Sequence, residues 1–265
     1  MAGGSPSGAS LVARTVAVLR AFDPGHRRLS LTDIAARAGL PAPTTLRIVR
    51  QLVDAQALTR RDDGTYVIGR FLWDVGLLAP VNTGLREVAA PYLQDLHAAT
   101  RATVHLATRD GDAALYLDRL VGHASVPVVS RVGGRLPLHA TGVGKVLLAH
   151  APDDVRTHVL THLSRHTAYT VMSPGTLERQ LADIRRVGFA TTTEEMTLGA
   201  CSVGVPIRVR GRRLGEGSDA EVIAAIGIVV GSLRRDKSRL VSALHVAAQG
   251  ISRELVTRGL TAGDG

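Results

Sequence analysis

SLTDIAARAGLPAPTTLRIVRQL, Ser30 to Leu52, holds a helix start, a stop and a second helix in one short stretch. Ser30 is an N-cap residue with Asp33 three positions on, and Ile34, Ala35 and Ala38 follow at helical spacing. Gly39 breaks that helix, and a second one is expected from about Pro43 to Ala55. Upstream, Leu11, Thr15, Val18, Leu19 and Phe22 share one helical face that ends at Asp23-Pro24-Gly25. Downstream, LTRRDDGTYVIG (58–69) reads as two short strands joined at Asp62-Asp63-Gly64. Three helices followed by a hairpin make a winged helix-turn-helix, placed at residues 10–70.

The third helix shows what such a unit could touch. At 100° per residue, Leu46, Val49, Leu52 and Val53 group on the face expected to pack inward. Thr44, Arg47, Ile48 and Gln51 then point outward, and Thr45 is counted with them. A guanidinium, hydroxyls, an amide and an apolar group for a thymine methyl suit base edges in a major groove. Arg50 on the flank, and Arg60 and Arg61 at the wing, are candidates for phosphate contacts. Thr, Arg and Gln are equally ordinary on a solvated face; the helix–Gly–helix–wing order favours the DNA reading.

Composition bounds the rest. The chain has 265 residues, enough for two domains, and with 45% hydrophobic and 21% charged residues it can bury a core. The net charge of +9 suits a polyanion. It is not concentrated in the first domain, because residues 1–80 carry a net +4 and the remainder +5. The strongest basic run, RVRGRR (208–213), reads as a polar hairpin flank. One cysteine, Cys201, allows neither an internal disulfide nor a multi-cysteine metal site, which fits a reducing cytoplasm. The first residues lack the pattern of a signal peptide, and the longest apolar run, Val222 to Val230, is too short to span a bilayer.

Residues 1–9 read as a tail and FLWDVGLLAPVNT (71–83) as a linker helix. Residues 84–257 form a second domain, with a further tail at 258–265. Helices are expected over Leu85–Ala99, Gly144–Ala149, Thr176–Val187 and Lys237–Leu255. Strands are expected over Thr103–Thr108, Ala114–Leu120, Val126–Val132, Cys201–Val209 and Val222–Val230. HATGVGKVLLAH (139–150) resembles a nucleotide loop, but His139 stands where a P-loop needs glycine and Val146 where it needs Ser or Thr. It reads instead as a tight turn and a helix start, whose free N–H groups attract an anion.

Three blocks carry a resemblance: the Ser30–Leu52 stretch, GGRLPLHATGVGKVLLA (133–149) and GFATTTEEMTLGACSVGVPI (188–207). In that order they resemble the IclR family of bacterial transcription regulators, over about residues 10–257. The resemblance implies an α+β protein: a winged helix-turn-helix, a linker helix and a GAF-like mixed α/β domain that binds a small-molecule effector. It implies double-stranded operator DNA as partner and self-association into dimers or tetramers, with no cofactor, metal or membrane.

It also implies an effector pocket of Val128, Leu136, Gly142, Val143, Thr192, Ala200, Ser202, Gly227 and Val229. Acid-binding members of the family carry an acidic residue at the position of Thr192, cysteine at Ser202 and serines at Gly227 and Val229. This chain has lost those polar partners, and the expectation is more room and a larger, partly apolar effector such as an aromatic acid or amide. Cys201, one position off the family's cysteine, is expected to face away as a small core residue. Glu194 and Glu195 are expected to anchor their loop. His139, His158, His162 and His166 complete no ligand set and read as polar surface or local packing. A competing reading, an enzyme with Cys201 as nucleophile and His139 as base, leaves the winged domain unexplained.

Overall fold

A computed structural model describes residues 10–23, 25–76, 83–122, 126, 129–210 and 220–260. The expected tail at 1–9, residues 261–265 of the expected tail at 258–265, Pro24, part of the expected linker helix (77–82), Val128 and most of the basic run (211–213) lie outside the described residues. The chain divides into two compact units, residues 1–79 and 80–265.

The first unit begins with α1, Leu11–Arg20, capped by Ser10. In α2, Leu31–Ala38, Ser30 and Asp33 form a reciprocal capping box, and Gly39 closes the helix in the left-handed region at φ 64°. The third helix, α3, is Ala42–Asp54, so Pro43 sits in its first turn. The hairpin β1 (Leu58–Arg60) and β2 (Tyr66–Ile68) pairs Leu58 with Ile68 and Arg60 with Tyr66. Gly69 follows it, where a Cβ would lie 2.1 Å from the Gln56 carbonyl oxygen. The next helix, α4, is Arg70–Gly76.

The packing of α3 corrects the expected face. Thr45, Ile48 and Val49 are its buried residues, and Leu46 is only half-buried. Ile48, expected to point outward, is 1% exposed and belongs to the core with Val18, Ile34, Leu58 and Tyr66. The buried stripe thus runs through Thr45, Ile48, Val49 and Leu52, an i, i+3, i+4, i+7 pattern. Thr45 can be buried because its hydroxyl donates to the Pro41 carbonyl at 3.1 Å. Its hydroxyl made the stripe look shifted toward Leu46 and Val53.

The second unit contains α5 (Thr83–Thr100), β3 (Thr103–Asp110), β4 (Ala113–Leu120) and β5 (Arg135–Pro137). A 3-10 turn, Leu138–Ala140, leads into α6 (Gly142–Ala149). Then come α7 (Asp153–Thr161), α8 (Pro174–Val187) and β6 (Ala190–Thr193). The unit ends with β7 (Cys201–Arg210), β8 (Ala220–Val230) and α9 (Lys237–Thr257). Sequence reading missed β6, whose Thr-Thr-Thr run has no apolar alternation, and α7, which buries only Val159. The strand expected at Val126–Val132 does not form among its described residues; a turn closed by Gly134 N donating to the Arg131 carbonyl precedes β5 instead.

The strands form one antiparallel sheet in the order β5-β4-β3-β8-β7-β6. One face, with Val104, Leu106, Val205 and Ile207, packs against α5 and α9. The other, with Ala107, Tyr116 and Ala225, packs against α6 and α8. All eight residues of α6 are buried, including Lys145 at 1% exposure. Its ammonium donates to Glu195 Oε1 at 2.6 Å and to Gln180 Oε1 at 2.8 Å. Burial pulls the Lys145 pKa down and pushes that of Glu195 up, against the pull of their mutual attraction.

Two stability predictions follow from this packing. Ile48→Ala should cost about 2–5 kcal/mol, as for a core aliphatic, whereas Arg47→Ala should stay within about 0.5 kcal/mol. Lys145→Ala, which strands the Glu195 carboxylate, should cost about 3–5 kcal/mol, while the paired change Lys145→Met with Glu195→Leu should cost clearly less. Urea denaturation midpoints measure both; equal losses at 47 and 48, or a double variant no better than the single, would contradict them.

Candidate functional site

Two regions of chemical interest lie in different units. In the first, α3 presents Arg47, Arg50 and Gln51 exposed to solvent, with Thr44 half-buried; Thr45 and Ile48 are withdrawn into the core. Ile48 is therefore unavailable for the thymine-methyl contact expected of it. On the wing, Arg60 and Arg61 are exposed, and Asp63 accepts from the Thr65 amide at 3.0 Å to shape the turn. Arg47, Arg50, Arg60 and Arg61 form no salt bridge among the described residues, although Arg61 lies close enough to Asp63 to help lower the pKa of that carboxyl.

The second region is a cavity in the other unit, about 480 Å³ counting the space open at its mouth. Leu136, Gly142, Val143, Thr192, Ala200, Ser202, Gly227 and Val229 all line it, so eight of the nine residues named from sequence converge on one space. Strand alternation puts Thr192 and its cross-strand partner Ser202 on the same face, together with Val229, the partner of Ser202 on β8. Cys201 points the other way, its sulfur 3.8 Å from the Gly231 carbonyl oxygen.

Glycines form the floor. A Cβ at Gly142 would lie 2.6 Å from Ser202 Oγ, one at Gly204 would lie 2.7 Å from the Gly142 carbonyl, and one at Gly227 would lie 2.7 Å from Val143 Cγ1. The first turn of α6 therefore rests directly on the sheet. This corrects the expectation that Gly227 enlarges the pocket: the space is filled by Val143. Most of the helix-start donors are also spoken for. The Gly142 amide donates to Ser202 Oγ at 3.1 Å and the Gly144 amide to Thr141 Oγ1 at 3.1 Å. Ser202 Oγ lies 2.6 Å from Thr192 Oγ1.

Sequence reading missed the far wall. His105, Tyr116, Val129, Ser130, Met196 and Thr197 also line the cavity. His105 and Ser130 share a buried hydrogen bond of 2.7 Å, and the His105 ring meets Tyr116 edge-on at 5.0 Å. Burial, with the charge of Arg119 nearby, drops His105 from 6.5 to about 3, so its ring is neutral. Burial likewise raises Tyr116 to about 12. The signal for His105 was a polar residue on the inward parity of an expected strand; the wall around Ser130 comes from an irregular segment that periodicity does not reveal. Among the described lining residues none carries a charge at neutral pH.

His139 Nε2 is engaged with the Ser164 carbonyl at 2.9 Å, and no hydrogen bond joins it to Cys201 among the described residues. No group of three His, Cys, Asp or Glu side chains that could hold a metal occurs among the described residues. His158 and His162 stack at 4.3 Å between centroids. No helix among the described residues is long and apolar enough to cross a membrane.

Residues 11–62 match the family described as the IclR helix-turn-helix domain, and residues 79–253 match the C-terminal region of the bacterial transcriptional regulator IclR. A regulator from Paracoccus denitrificans, BhcR, is 34% identical, covering 86% of this chain and 79% of that protein. The regulator KdgR of Dickeya chrysanthemi is 27% identical, covering 94% of this chain and 81% of that protein. The solved structure of an IclR homolog from Microbacterium hydrocarbonoxydans, complexed with 4-hydroxybenzoate, is 35% identical with a TM-score of 0.84, covering 94% of this chain and all of that one. BhcR and KdgR are both HTH-type transcriptional regulators. The chain belongs to the IclR family of bacterial transcriptional regulators, with a DNA-binding helix-turn-helix domain followed by an effector-binding α/β domain.

Proposed function

We propose that this regulator releases or engages its operator in response to an aromatic or partly apolar organic acid or amide held in the cavity of the second unit. The observation that carries this reading is the lining itself: apolar walls from Leu136, Val143, Ala200 and Val229, with hydroxyls and a neutral imidazole in place of any charged side chain. A two- or three-carbon oxoacid has little apolar surface of its own to set against those walls. A buried carboxylate also needs several hydrogen bonds, and an aromatic body would contribute its own burial. The 4-hydroxybenzoate held by the Microbacterium homolog supports the same ligand class.

On the DNA side, Arg47 and Gln51, with Thr44, read base edges in the major groove, and Arg50, Arg60 and Arg61 hold phosphates. Two chains pair, as a dimer or a dimer of dimers, so that two recognition helices meet half-sites about one helical turn apart. The protein works in the cytoplasm, where its DNA lies.

Fluorescence anisotropy with the DNA upstream of its own gene, at several salt concentrations, tests the DNA reading. Affinity should fall as salt rises and exceed that for unrelated DNA. Arg47→Ala should cost about 1–3 kcal/mol and relax one base position, whereas Arg60→Ala should weaken all sequences alike and reduce the salt slope by about 1. An unchanged operator preference would remove Arg47 from the reading set. Calorimetry tests the ligand class: 4-hydroxybenzoate should bind and shift operator affinity, while glyoxylate and pyruvate should bind weakly. The reverse order would overturn the proposal.

A further inference from the structure

Three buried side-chain polar atoms lack a hydrogen-bond partner among the described residues: Thr103 Oγ1, Arg119 Nε and Glu195 Oε2. Two of them flank His105. Arg119 is its cross-strand partner on β4, and Thr103 precedes it by two residues on β3, so all three share the cavity face of the sheet. The Arg119 Nη1 group donates to the Ser130 carbonyl, and Arg119 has no ion pair among the described residues. Ser130 Oγ, in turn, is the partner of His105. Buried native polar groups are nearly always paired, so orphaned donors gathered behind one wall of a ligand cavity ask for an acceptor.

The other polar pole differs in what it can offer. Ser202 Oγ already accepts from the Gly142 amide and shares a proton with Thr192 Oγ1. Of the two hydroxyl protons there, one is used internally and one remains; the neutral His105–Ser130 pair also keeps one spare proton, so the poles differ in the cation, Arg119, that stands beside the second and has no counterpart at the first. The two poles are separated by β8, since His105 pairs with Gly227 and Ser202 pairs with Val229. Two strand spacings are about 10 Å, and the apolar Val143 and Val229 lie in between.

We propose that the wall around His105 is the anion subsite of the cavity: the Ser130–His105 pair gives the carboxylate of the effector its one spare proton, and Arg119, beside His105 on β4, supplies the charge. The Thr192–Ser202 pole takes a neutral polar group at the other end of the same molecule. The effector class is therefore an aromatic acid with a hydrogen-bonding substituent remote from its carboxylate. This rests on the effector reading above. Arg119 is a positioning residue, acting through Ser130 and through its field. His105 stays neutral beside it, so the imidazole can adopt whichever tautomer the ligand needs without adding a second charge.

Calorimetry on the full chain with 4-hydroxybenzoate and its uncharged analogue 4-hydroxybenzamide separates charge recognition from packing. The native chain should prefer the acid. In Arg119→Gln that preference should fall about tenfold, equivalent to about 1.4 kcal/mol, while amide affinity holds; Arg119→Lys should restore most of it. Ser130→Ala, which keeps the carbonyl that anchors Arg119, should weaken the acid and spare the amide, and gives an independent result if Arg119→Gln does not fold. Acid and amide falling together, or an acid preference unmoved in these variants, would overturn the subsite while leaving the effector reading intact. Failure of both ligands to bind the native chain would overturn the two together.

Discussion

The contact between the first turn of α6 and the glycines of the sheet governs the second unit. Gly142 meets Gly204 and Ser202, and Val143 meets Gly227, at distances that no larger side chain at the glycine positions would permit. Because the helix start lies flat on the sheet, the whole of α6 is buried. Lys145 then has no route to solvent and must find a partner inside, which Glu195 provides from the turn after β6. That ion pair fixes the turn that carries Met196, Thr197 and Ala200 into the cavity wall. The loop-like glycines and lysine of GVGK are thus one device: close approach, burial, and a buried charge that ties a distant turn in place.

The electrostatics of the cavity follow from the same constraint. A helix start attracts anions through its free amides, but here Ser202 and Thr141 occupy the Gly142 and Gly144 donors. With its ammonium held by Glu195 and Gln180, Lys145 contributes no ligand contact. What remains is an apolar floor between two polar clusters, only one of which has a cation beside it. In such a site the hydrophobic term favours many flat ligands nearly alike, and the polar clusters decide which one is held and which way round.

Much of this was legible in the sequence. The capping box of Ser30 and Asp33, the stop at Gly39 and the Asp62–Gly64 hairpin are local signals, and local signals set those elements. Alternation along β7 and β8 correctly separated Cys201 from Ser202. What was not legible depends on three-dimensional compensation. Thr45 looked like a surface residue because its hydroxyl bond to the Pro41 carbonyl is invisible in a list of hydropathies, and that alone rotated the inferred face and put Ile48 outside. Gly227 looked like added space because nothing in the sequence says that Val143 would fill it. His105 and Arg119 are neighbours only through strand pairing, across residues 106–118 of chain.

The distribution of order around the cavity bears on how a ligand could act from it. A ligand shifts an equilibrium only through parts that it contacts differently in two states. The floor is a poor candidate, since Gly142, Gly204 and Gly227 leave no slack and a close-packed interior resists continuous deformation. The walls are different in kind: Val129 and Ser130 lie on an irregular segment, and Met196, Thr197 and Ala200 on the turn between β6 and β7. Both walls are held by side-chain polar contacts, His105 and Arg119 to Ser130 on one side and Lys145 to Glu195 on the other. A ligand that spans the cavity touches both walls across a fixed floor, so its length and the polar group at each end determine which wall arrangement it favours.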